Sequence, residues 1–352
     1  MTASAPTLVD ETPLGLLSLC PVYAPTALIS LPLAAAALGV AGVLAKDEGR
    51  RPLGSFKALG GVYAGLRALA RASGLSVKNL LGATDEAPAL PPLVCASDGN
   101  HGLAVAAAAR LAGAKARVFL PDIVPPRRIA RIRDKGADVI RVSGTYDEAV
   151  RAAAGVARQG EGLLIADTSG DSGDPVVADV MAAYGVIAEE IRTGLVAGGI
   201  PPPTHVFVQA GVGGLAAAMA RGLEGALAAP AKIVVVEPEG AACVAAALAA
   251  GAVVAVPGEL ETSAEMLSCG EASAPALAVL MRYDVATIGV SEADLRAAPR
   301  FLESNGGPRT TPSGAAGLAG LIAALRDPDL ARRLKLDPQS RPLLIVTESP
   351  PD

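Results

Sequence analysis

The chain has 352 residues with 30 basic and 35 acidic side chains, a length that suggests two domains or two lobes. The mildly acidic balance, without any basic run, argues against nucleic acid as a partner. Apolar residues make up 51% of the chain, aromatic residues only 3%, and Trp is absent, so Ala, Leu and Val must fill a large core. Two histidines and four scattered cysteines show no metal-ligand spacing, and we expect no metal.

One uncharged segment, residues 27–45, is long enough to raise the question of a membrane span. Prolines and glycines interrupt it, much of its apolar character is alanine, and the charged run Lys46-Asp47-Glu48 follows directly. We therefore predict a helix at Pro32–Leu38, a turn at Gly39 and a strand at Gly42–Ala45. No basic residue precedes position 46, which argues against a signal peptide. We expect a cytoplasmic protein with no membrane partner.

Apolar, β-branched runs alternate with alanine-rich helical runs along the rest of the chain. This alternation is typical of an α/β doubly wound architecture with strands buried on both faces. The predicted strands are Leu93–Ala96, Ala116–Leu120, Asp138–Val142, Leu163–Ala166, His205–Gln209, Ile233–Glu237 and Leu343–Thr347. The predicted helices are Phe56–Ala72, Gly102–Ala112, Pro125–Lys135, Tyr146–Gln159, Pro175–Thr193, Leu215–Ala228 and Gly314–Arg326.

Two short motifs carry candidate chemistry. The first, Gly54-Ser55-Phe56-Lys57, places a lysine where an apolar run gives way to a helix. A buried lysine loses its charge easily, and a neutral amine is what a Schiff base with an aldehyde cofactor requires. The second, Ser97-Asp98-Gly99-Asn100-His101-Gly102, offers a carboxylate, an amide and two glycines at a turn. Taken alone, the first motif is equally typical of an ordinary exposed lysine, and the second of a turn in which Asp and Asn bond their own backbone.

A third motif separates these alternatives. The apolar run Val206–Gln209 meets Gly211-Val212-Gly213-Gly214, and an alanine-rich helix follows. Such a loop can direct backbone N–H groups at an anion, and the helix N-terminus adds a favourable dipole. A Rossmann phosphate loop looks similar, but this loop lies far along the chain and lacks the Gly-x-Gly-x-x-Gly spacing. The three motifs together point to a pyridoxal-phosphate (PLP) enzyme.

The three motifs, in this order, resemble fold-type II PLP enzymes, the group of tryptophan synthase β, serine/threonine dehydratases and cysteine synthase. Asp98 stands where most of that group carries a small residue, and Asp-Gly-Asn-His-Gly is characteristic of the diaminopropionate ammonia-lyase family. The resemblance runs from about Tyr23 to Thr347. Further stretches that agree are Tyr23-Ala24-Pro25-Thr26, Asp167-Thr168-Ser169, Tyr184-Gly185, Val236-Glu237-Pro238 and Leu267-Ser268-Cys269-Gly270-Glu271.

The resemblance implies a role for each candidate residue of the cofactor site. Lys57 would form the Schiff base with PLP, and Asn100 would hydrogen-bond the 3′-oxygen of the cofactor, unless it caps the helix after it. Thr347 would meet the pyridine nitrogen, where a neutral hydroxyl leaves that nitrogen largely unprotonated; otherwise it is simply a strand-end residue. The phosphate would be held by the backbone N–H groups of Gly211, Val212, Gly213 and Gly214.

Acid–base chemistry is expected from aspartates rather than from His101 or His205, which we interpret as structural. By the resemblance, Asp98 would take the α-proton of the D-isomer of the substrate and Asp167 that of the L-isomer. An aspartate beside a cofactor can act as a base when desolvation and hydrogen bonds tune it. The alternative is that each aspartate caps the helix that follows.

Three departures from the family concern the substrate. Gly170 and Gly173 replace a Trp and a Tyr, which predicts a roomier pocket, and Arg51-Pro52 replaces Phe-Gly upstream of Lys57. Ala315 replaces an acidic residue that could face the second amine of the substrate. The expected reaction is α,β-elimination of 2,3-diaminopropionate to pyruvate and ammonia. A dehydratase or β-replacement synthase with another leaving group, or a catalytically silent relative, remains open.

Organisation follows from the same resemblance. It implies a large PLP-binding lobe of residues 1–60 and 161–352, a smaller inserted lobe of residues 61–160, and PLP in the cleft between the two. It also implies a homodimer that acts on a small amino acid. Cys243 and Cys269 match positions where family members can form a disulfide, although free thiols are the default in a cytosolic protein.

Overall fold

The computed structural model describes residues 12–82, 89–97, 99–144 and 146–350. The chain divides into two compact units, one formed by Met1–Ala24 with Lys57–Ala166 and the other by Pro25–Phe56 with Asp167–Asp352. Each unit is built on its own sheet with parallel strands. The α/β class that the alternating pattern predicts is confirmed.

The first unit contains a parallel sheet in the strand order β5-β4-β3-β6. Its strands are β3 (Leu93–Ala96), β4 (Ala116–Pro121), β5 (Asp138–Val142) and β6 (Leu163–Leu164). Its helices are α1 (Pro13–Leu17), α3 (Lys57–Ser73), α4 (Val77–Leu81), α5 (Asn100–Leu111), α6 (Pro126–Arg133) and α7 (Tyr146–Arg158). Alanines of α7 pack on Val94 and Phe119 of the sheet.

The second unit contains a six-stranded sheet in the order β1-β2-β10-β7-β8-β9, parallel except for the edge pair β1–β2. Its strands are β1 (Leu28–Ser30), β2 (Leu44–Asp47), β7 (His205–Gln209), β8 (Lys232–Pro238), β9 (Val285–Val290) and β10 (Pro342–Val346). Its helices are α2 (Pro32–Leu38), α8 (Pro175–Ala197), α9 (Gly214–Gly222), α10 (Cys243–Ala250), α11 (Ala274–Leu280), α12 (Glu292–Ser304), α13 (Ala316–Arg326) and α14 (Pro328–Leu334). Apolar residues of β7, β8 and β10 are fully buried beneath α13.

Most predicted elements are found within a few residues of their predicted bounds, and the differences have local causes. The helix predicted at Leu215–Ala228 ends at Gly222, because Gly225 takes a positive φ of 70° that breaks the helix. The strand predicted at Leu163–Ala166 keeps only two residues, since it lies at the sheet edge and pairs with β3 alone. Within the described part of the chain, no helix is long and apolar enough to cross a bilayer.

A buried ion cluster joins β2, the turn after it and α8 in the second unit. Arg51 donates to Glu48 (Nε to Oε2, 2.7 Å) and to Glu190 through both terminal nitrogens (2.8 Å each), and all three residues are buried or nearly so. Lys46, fully buried, pairs with Glu190 and donates to the carbonyl of Thr26 at 2.7 Å. Burial alone would raise the pKa of Glu190, but Arg51 and Lys46 hold it below its ordinary value.

We expect Arg51→Met to destabilise the second unit strongly. Removing one partner leaves Glu48 and Glu190 buried with too little positive charge, which costs about 3–5 kcal/mol in comparable pairs. Urea unfolding followed by circular dichroism measures the change. The matched control is Arg332→Met, which removes an exposed pair with Asp329 and should cost at most about 1 kcal/mol. Equal midpoints for both variants would contradict a stabilising role for the cluster.

Candidate functional site

The glycine loop after β7 is the most constrained turn of the second unit. Gly213 has a φ of 95° and stands at the N-cap of α9, a conformation that favours glycine. A Cβ on Gly211 would lie 3.0 Å from the Sγ atom of Cys269 and 3.3 Å from the carbonyl oxygen of Met266. Among the described residues, none of the four amides from Gly211 to Gly214 donates to a backbone carbonyl. The loop therefore presents unpaired donors at a helix N-terminus, which is a ready site for an anion.

Ser273 fastens this loop to the segment that contains Asp167. Its N–H donates to the carbonyl of Val212 at 2.9 Å, and its hydroxyl accepts from the N–H of Ser169 at 3.3 Å. A third bond runs from the N–H of Ala274 to the carbonyl of Ser169 at 2.9 Å. The glycine loop and the segment that contains Asp167 are thus joined by hydrogen bonds within the second unit.

Thr347 follows the last residue of β10 and is buried, with 5% of its surface exposed. Its hydroxyl accepts from the side-chain amide of Gln209 at 3.1 Å, and its carbonyl accepts from the N–H of Phe56 at 3.1 Å. The ring of Phe56 packs against Tyr184, with centroids 4.9 Å apart. Thr347 is thus fixed at the strand end by a side-chain bond and a backbone bond, and its role toward the cofactor stays a prediction. Phe56, the residue before Lys57, is held by its backbone and its ring.

Lys57 and Asn100 begin the two helices of the first unit that pack most closely. A Cβ on Gly61 would lie 2.5 Å from the Cβ atom of Ala104, and one on Gly65 would lie 2.8 Å from that of Ala108. Gly61 is four residues after Lys57, and Ala104 is four residues after Asn100. The two helices therefore run side by side in register, and their first residues lie at the same end. Lys57 and Asn100 are both half-buried.

The residues next to Asn100 form the start of α5 in the first unit. The N-cap of α5 is Gly99 rather than Asn100, so Asn100 does not occupy the capping position that the sequence left open. His101 is buried and its Nε2 atom lies 2.7 Å from the carbonyl oxygen of Ile165, in agreement with the structural role expected from sequence. Asp98 lies outside the described residues.

Asp167 is half-buried and lies three residues beyond the end of β6, so the expectation that it directly ends a strand is corrected. The next helix, α8, is capped by Asp174, whose Oδ1 atom accepts from the N–H groups of Val176 and Val177. Asp167 is therefore not the cap of that helix. His205 is fully buried and its ring nitrogens contact Thr204 and the carbonyl of Leu334, which is a structural role.

Two thiols flank the glycine loop. Cys243 is buried and donates to the carbonyl of Gly211 at 3.3 Å, and the structure shows no disulfide between Cys243 and Cys269. Burial, the charge of Glu237 and the neighbouring Cys269 raise the pKa of Cys243 above its usual range. Burial also raises the pKa of Glu237 to about 7, although the N–H groups of Val244 and Ala245 donate to its carboxylate and oppose that shift. Glu237 thereby holds the N-terminal turn of α10 beside the loop.

Sequence reasoning assigned no role to Gln209 or Ser273. Gln209 had a weak signal, because it is the polar residue that ends an otherwise apolar strand directly before the glycine loop. Ser273 had none, because its contacts join residues 61 and 104 positions away along the chain. Both become recognisable only through packing.

Comparison with known proteins adds the decisive observation. The family model described as "Pyridoxal-phosphate dependent enzyme" matches residues 19–348. The chain belongs to this family. Within it, diaminopropionate ammonia-lyase from Salmonella typhimurium is 33% identical over 93% of this chain and 86% of that protein. The resemblance to the diaminopropionate ammonia-lyases is thus confirmed, and the cofactor of the chain is pyridoxal 5′-phosphate.

Solved structures of diaminopropionate ammonia lyase have the same fold along nearly the whole chain. The holo diaminopropionate ammonia lyase from Escherichia coli has a TM-score of 0.84 and 28% identity, covering 99% of this chain and 91% of that one. The same enzyme in complex with D-serine has a TM-score of 0.84 and 29% identity, covering 99% and 92%. The chain is therefore a fold-type II PLP enzyme.

Proposed function

We propose that this protein catalyses α,β-elimination of 2,3-diaminopropionate, consuming water and releasing pyruvate and two molecules of ammonia. The observation that carries the proposal is the glycine loop: its four amides have no acceptor among the described residues, and a side chain would be crowded at Gly211 and strained at Gly213, so the loop fits a phosphate group. The family and the overlap with diaminopropionate ammonia-lyases along nearly the whole chain support the choice of reaction.

The residues that would hold PLP are those that the family resemblance assigns. Lys57 would bind the aldehyde carbon covalently, Asn100 would donate to the 3′-oxygen, and Thr347 would donate to the ring nitrogen. Bound PLP supplies the electron sink that makes the α-proton of an amino acid acidic. The backbone amides that would bind the phosphate belong to Gly211, Val212, Gly213 and Gly214.

The remaining chemistry is proton transfer by the chain. Asp167, two residues before the Ser169 that bonds Ser273, would accept the proton from Cα of the L-isomer, and Asp98 would accept it from the D-isomer. Loss of the β-amine then completes the elimination. We further propose a cytoplasmic homodimer whose two lobes are residues 1–60 with 161–352 and residues 61–160. These last proposals rest on the family resemblance, and light scattering of the purified protein tests the dimer.

Lys57→Ala tests the proposal directly. The variant should lose the visible absorbance of the covalently held cofactor and fall to background turnover, because the covalent bond to the cofactor requires the Lys57 amine. PLP should still bind, more weakly, through the phosphate loop. The matched control is Lys78→Ala, which changes an exposed lysine and should leave both properties intact. Wild-type absorbance and activity in Lys57→Ala would overturn the proposed site.

Asn substitutions separate the two aspartates. We expect Asp98→Asn to remove most elimination from D-diaminopropionate and to spare the L-isomer, and Asp167→Asn to do the reverse. Loss of a proton-transfer group costs on the order of 10²–10⁴ in rate. Asp171→Asn is the control, since Asp171 is exposed and its side chain accepts from the N–H of Gly173 through Oδ1, which an asparagine oxygen can also do. Equal losses on both isomers would assign a structural role to the altered residue.

The absence of large side chains at Gly170 and Gly173, in the segment after Asp167, predicts that the enzyme accepts several substrates. A Cβ on Gly170 would meet no atom within 4 Å. Two short-range hydrogen bonds shape the segment: the N–H of Asp171 donates to the hydroxyl of Ser169, and the N–H of Gly173 donates to the carboxylate of Asp171. We expect measurable elimination from serine or threonine, because a missing aromatic wall removes about 1–3 kcal/mol of selectivity. Comparison of kcat/KM for diaminopropionate, serine and threonine measures this.

Restoring the aromatic wall provides the matched variant. Gly170→Trp with Gly173→Tyr should raise the preference for diaminopropionate by about 10–200-fold. A wild-type preference above about 10⁴-fold over both hydroxy amino acids would exceed what one pocket wall supplies and would contradict the open-pocket account.

A further inference from the structure

The side chain of Gln209 is enclosed at the end of β7, directly before the phosphate loop, with 2% of its surface exposed. Its amide nitrogen lies 2.9 Å from the carbonyl oxygen of Ser313, 3.0 Å from that of Gly314 and 3.1 Å from the hydroxyl oxygen of Thr347. Three acceptors therefore converge on one NH₂ group.

This arrangement fixes which end of the amide faces Thr347. A carbonyl oxygen can only accept, so the nitrogen of Gln209, and not its oxygen, must face Ser313 and Gly314. The oxygen lies on the other side, buried and without a partner among the described residues, against Gly317. A Cβ on Gly317 would lie 2.7 Å from the carbonyl oxygen of Phe207 and 3.2 Å from the Gln209 oxygen, so a larger residue at this position would collide with β7 and crowd the amide. Rotating the amide by 180° would set its oxygen against two carbonyl oxygens.

The fixed amide determines the direction of the Thr347 hydroxyl. A hydroxyl has one proton and two lone pairs. The two amide protons are shared among three acceptors, and because the NH₂ group can only donate, Thr347 is the acceptor in its bond with Gln209. The proton of Thr347 therefore remains available to another acceptor. A ring nitrogen that Thr347 contacts is then an acceptor, which is an unprotonated pyridine nitrogen.

We propose that Gln209 is a positioning residue that keeps the Thr347 hydroxyl oriented as a donor, and thereby keeps the ring nitrogen of bound PLP unprotonated. The inference rests on the proposed cofactor site and adds a residue to it. Gln209 acts only through Thr347. Its loss should therefore matter while the hydroxyl is present and should add little once the hydroxyl is gone.

The test uses PLP labelled with ¹⁵N in the ring, bound to the full-length protein and observed by NMR. We expect an unprotonated signal in the wild type and in Thr347→Ser, which keeps the hydroxyl. Gln209→Met removes the donor, so the hydroxyl can turn to the freed carbonyl oxygens of Ser313 and Gly314. Gln209→Glu preserves the shape and presents an oxygen that accepts from Thr347. In both variants the signal should move toward the protonated form.

Affinity for PLP gives a second readout that does not depend on turnover. Gln209→Met and Thr347→Val should each weaken binding about tenfold, the scale of one hydrogen bond. The double variant should bind no more weakly than Thr347→Val alone, because the two residues act in series. The control Gln339→Met alters an exposed glutamine and should change neither readout.

The NMR and affinity measurements can each overturn the inference about Gln209. A protonated ring nitrogen in the wild type overturns the inference even if no Gln209 variant folds. An unmoved signal in a folded Gln209 variant, or additive losses of affinity in the double variant, also overturns it and leaves the proposed function intact. A wild-type protein that binds no PLP would overturn the proposed function itself and this inference with it.

Discussion

The turn from β7 into α9 is the constraint on which the rest of the candidate site depends. Gly213 takes a conformation that side chains disfavour, and a Cβ on Gly211 would be crowded by the Sγ atom of Cys269, 3.0 Å away. Such a turn leaves its amides facing outward at a helix N-terminus. The elements around it, through Ser273, Cys243 and Glu237, hold the turn in place by hydrogen bonds to its backbone or to the helix beside it.

The sheet of the second unit explains why the polar residues gather there. β10, β7 and β8 are parallel neighbours, so the residues after their carboxyl ends lie along one edge. That edge carries Thr347, Gln209 and Glu237, each a polar residue that follows an apolar run at or near the carboxyl end of a strand. Ligand sites of open α/β sheets lie beyond such strand ends. Each of these three side chains makes at least one hydrogen bond to backbone or to another of them, which keeps its orientation fixed before any ligand binds.

Much of this arrangement could be predicted from the sequence, because it depends on local signals. The spacing of apolar residues and the positions of glycines predict four of its elements. They are the strand His205–Gln209, the glycine loop after it, the helix Pro32–Leu38 and the helix that begins beside Lys57. The predicted roles of Lys57, Asn100, Asp98 and Asp167 remain predictions. The contacts that hold the site together could not be predicted, because they join distant positions. Lys46 and Glu190 are 144 residues apart, and Gln209 and Thr347 are 138 apart. The edge strand Leu28–Ser30 has only three residues and is recognisable mainly by its pairing with β2.

The central claim is that Lys57 is the lysine that binds the cofactor. The most direct measurement is reduction of the PLP-loaded protein with borohydride, followed by peptide mapping with mass spectrometry. The account predicts that the reduced pyridoxyl group is found on Lys57. Modification of another lysine instead, such as the exposed Lys78, or of no lysine at all, would contradict it.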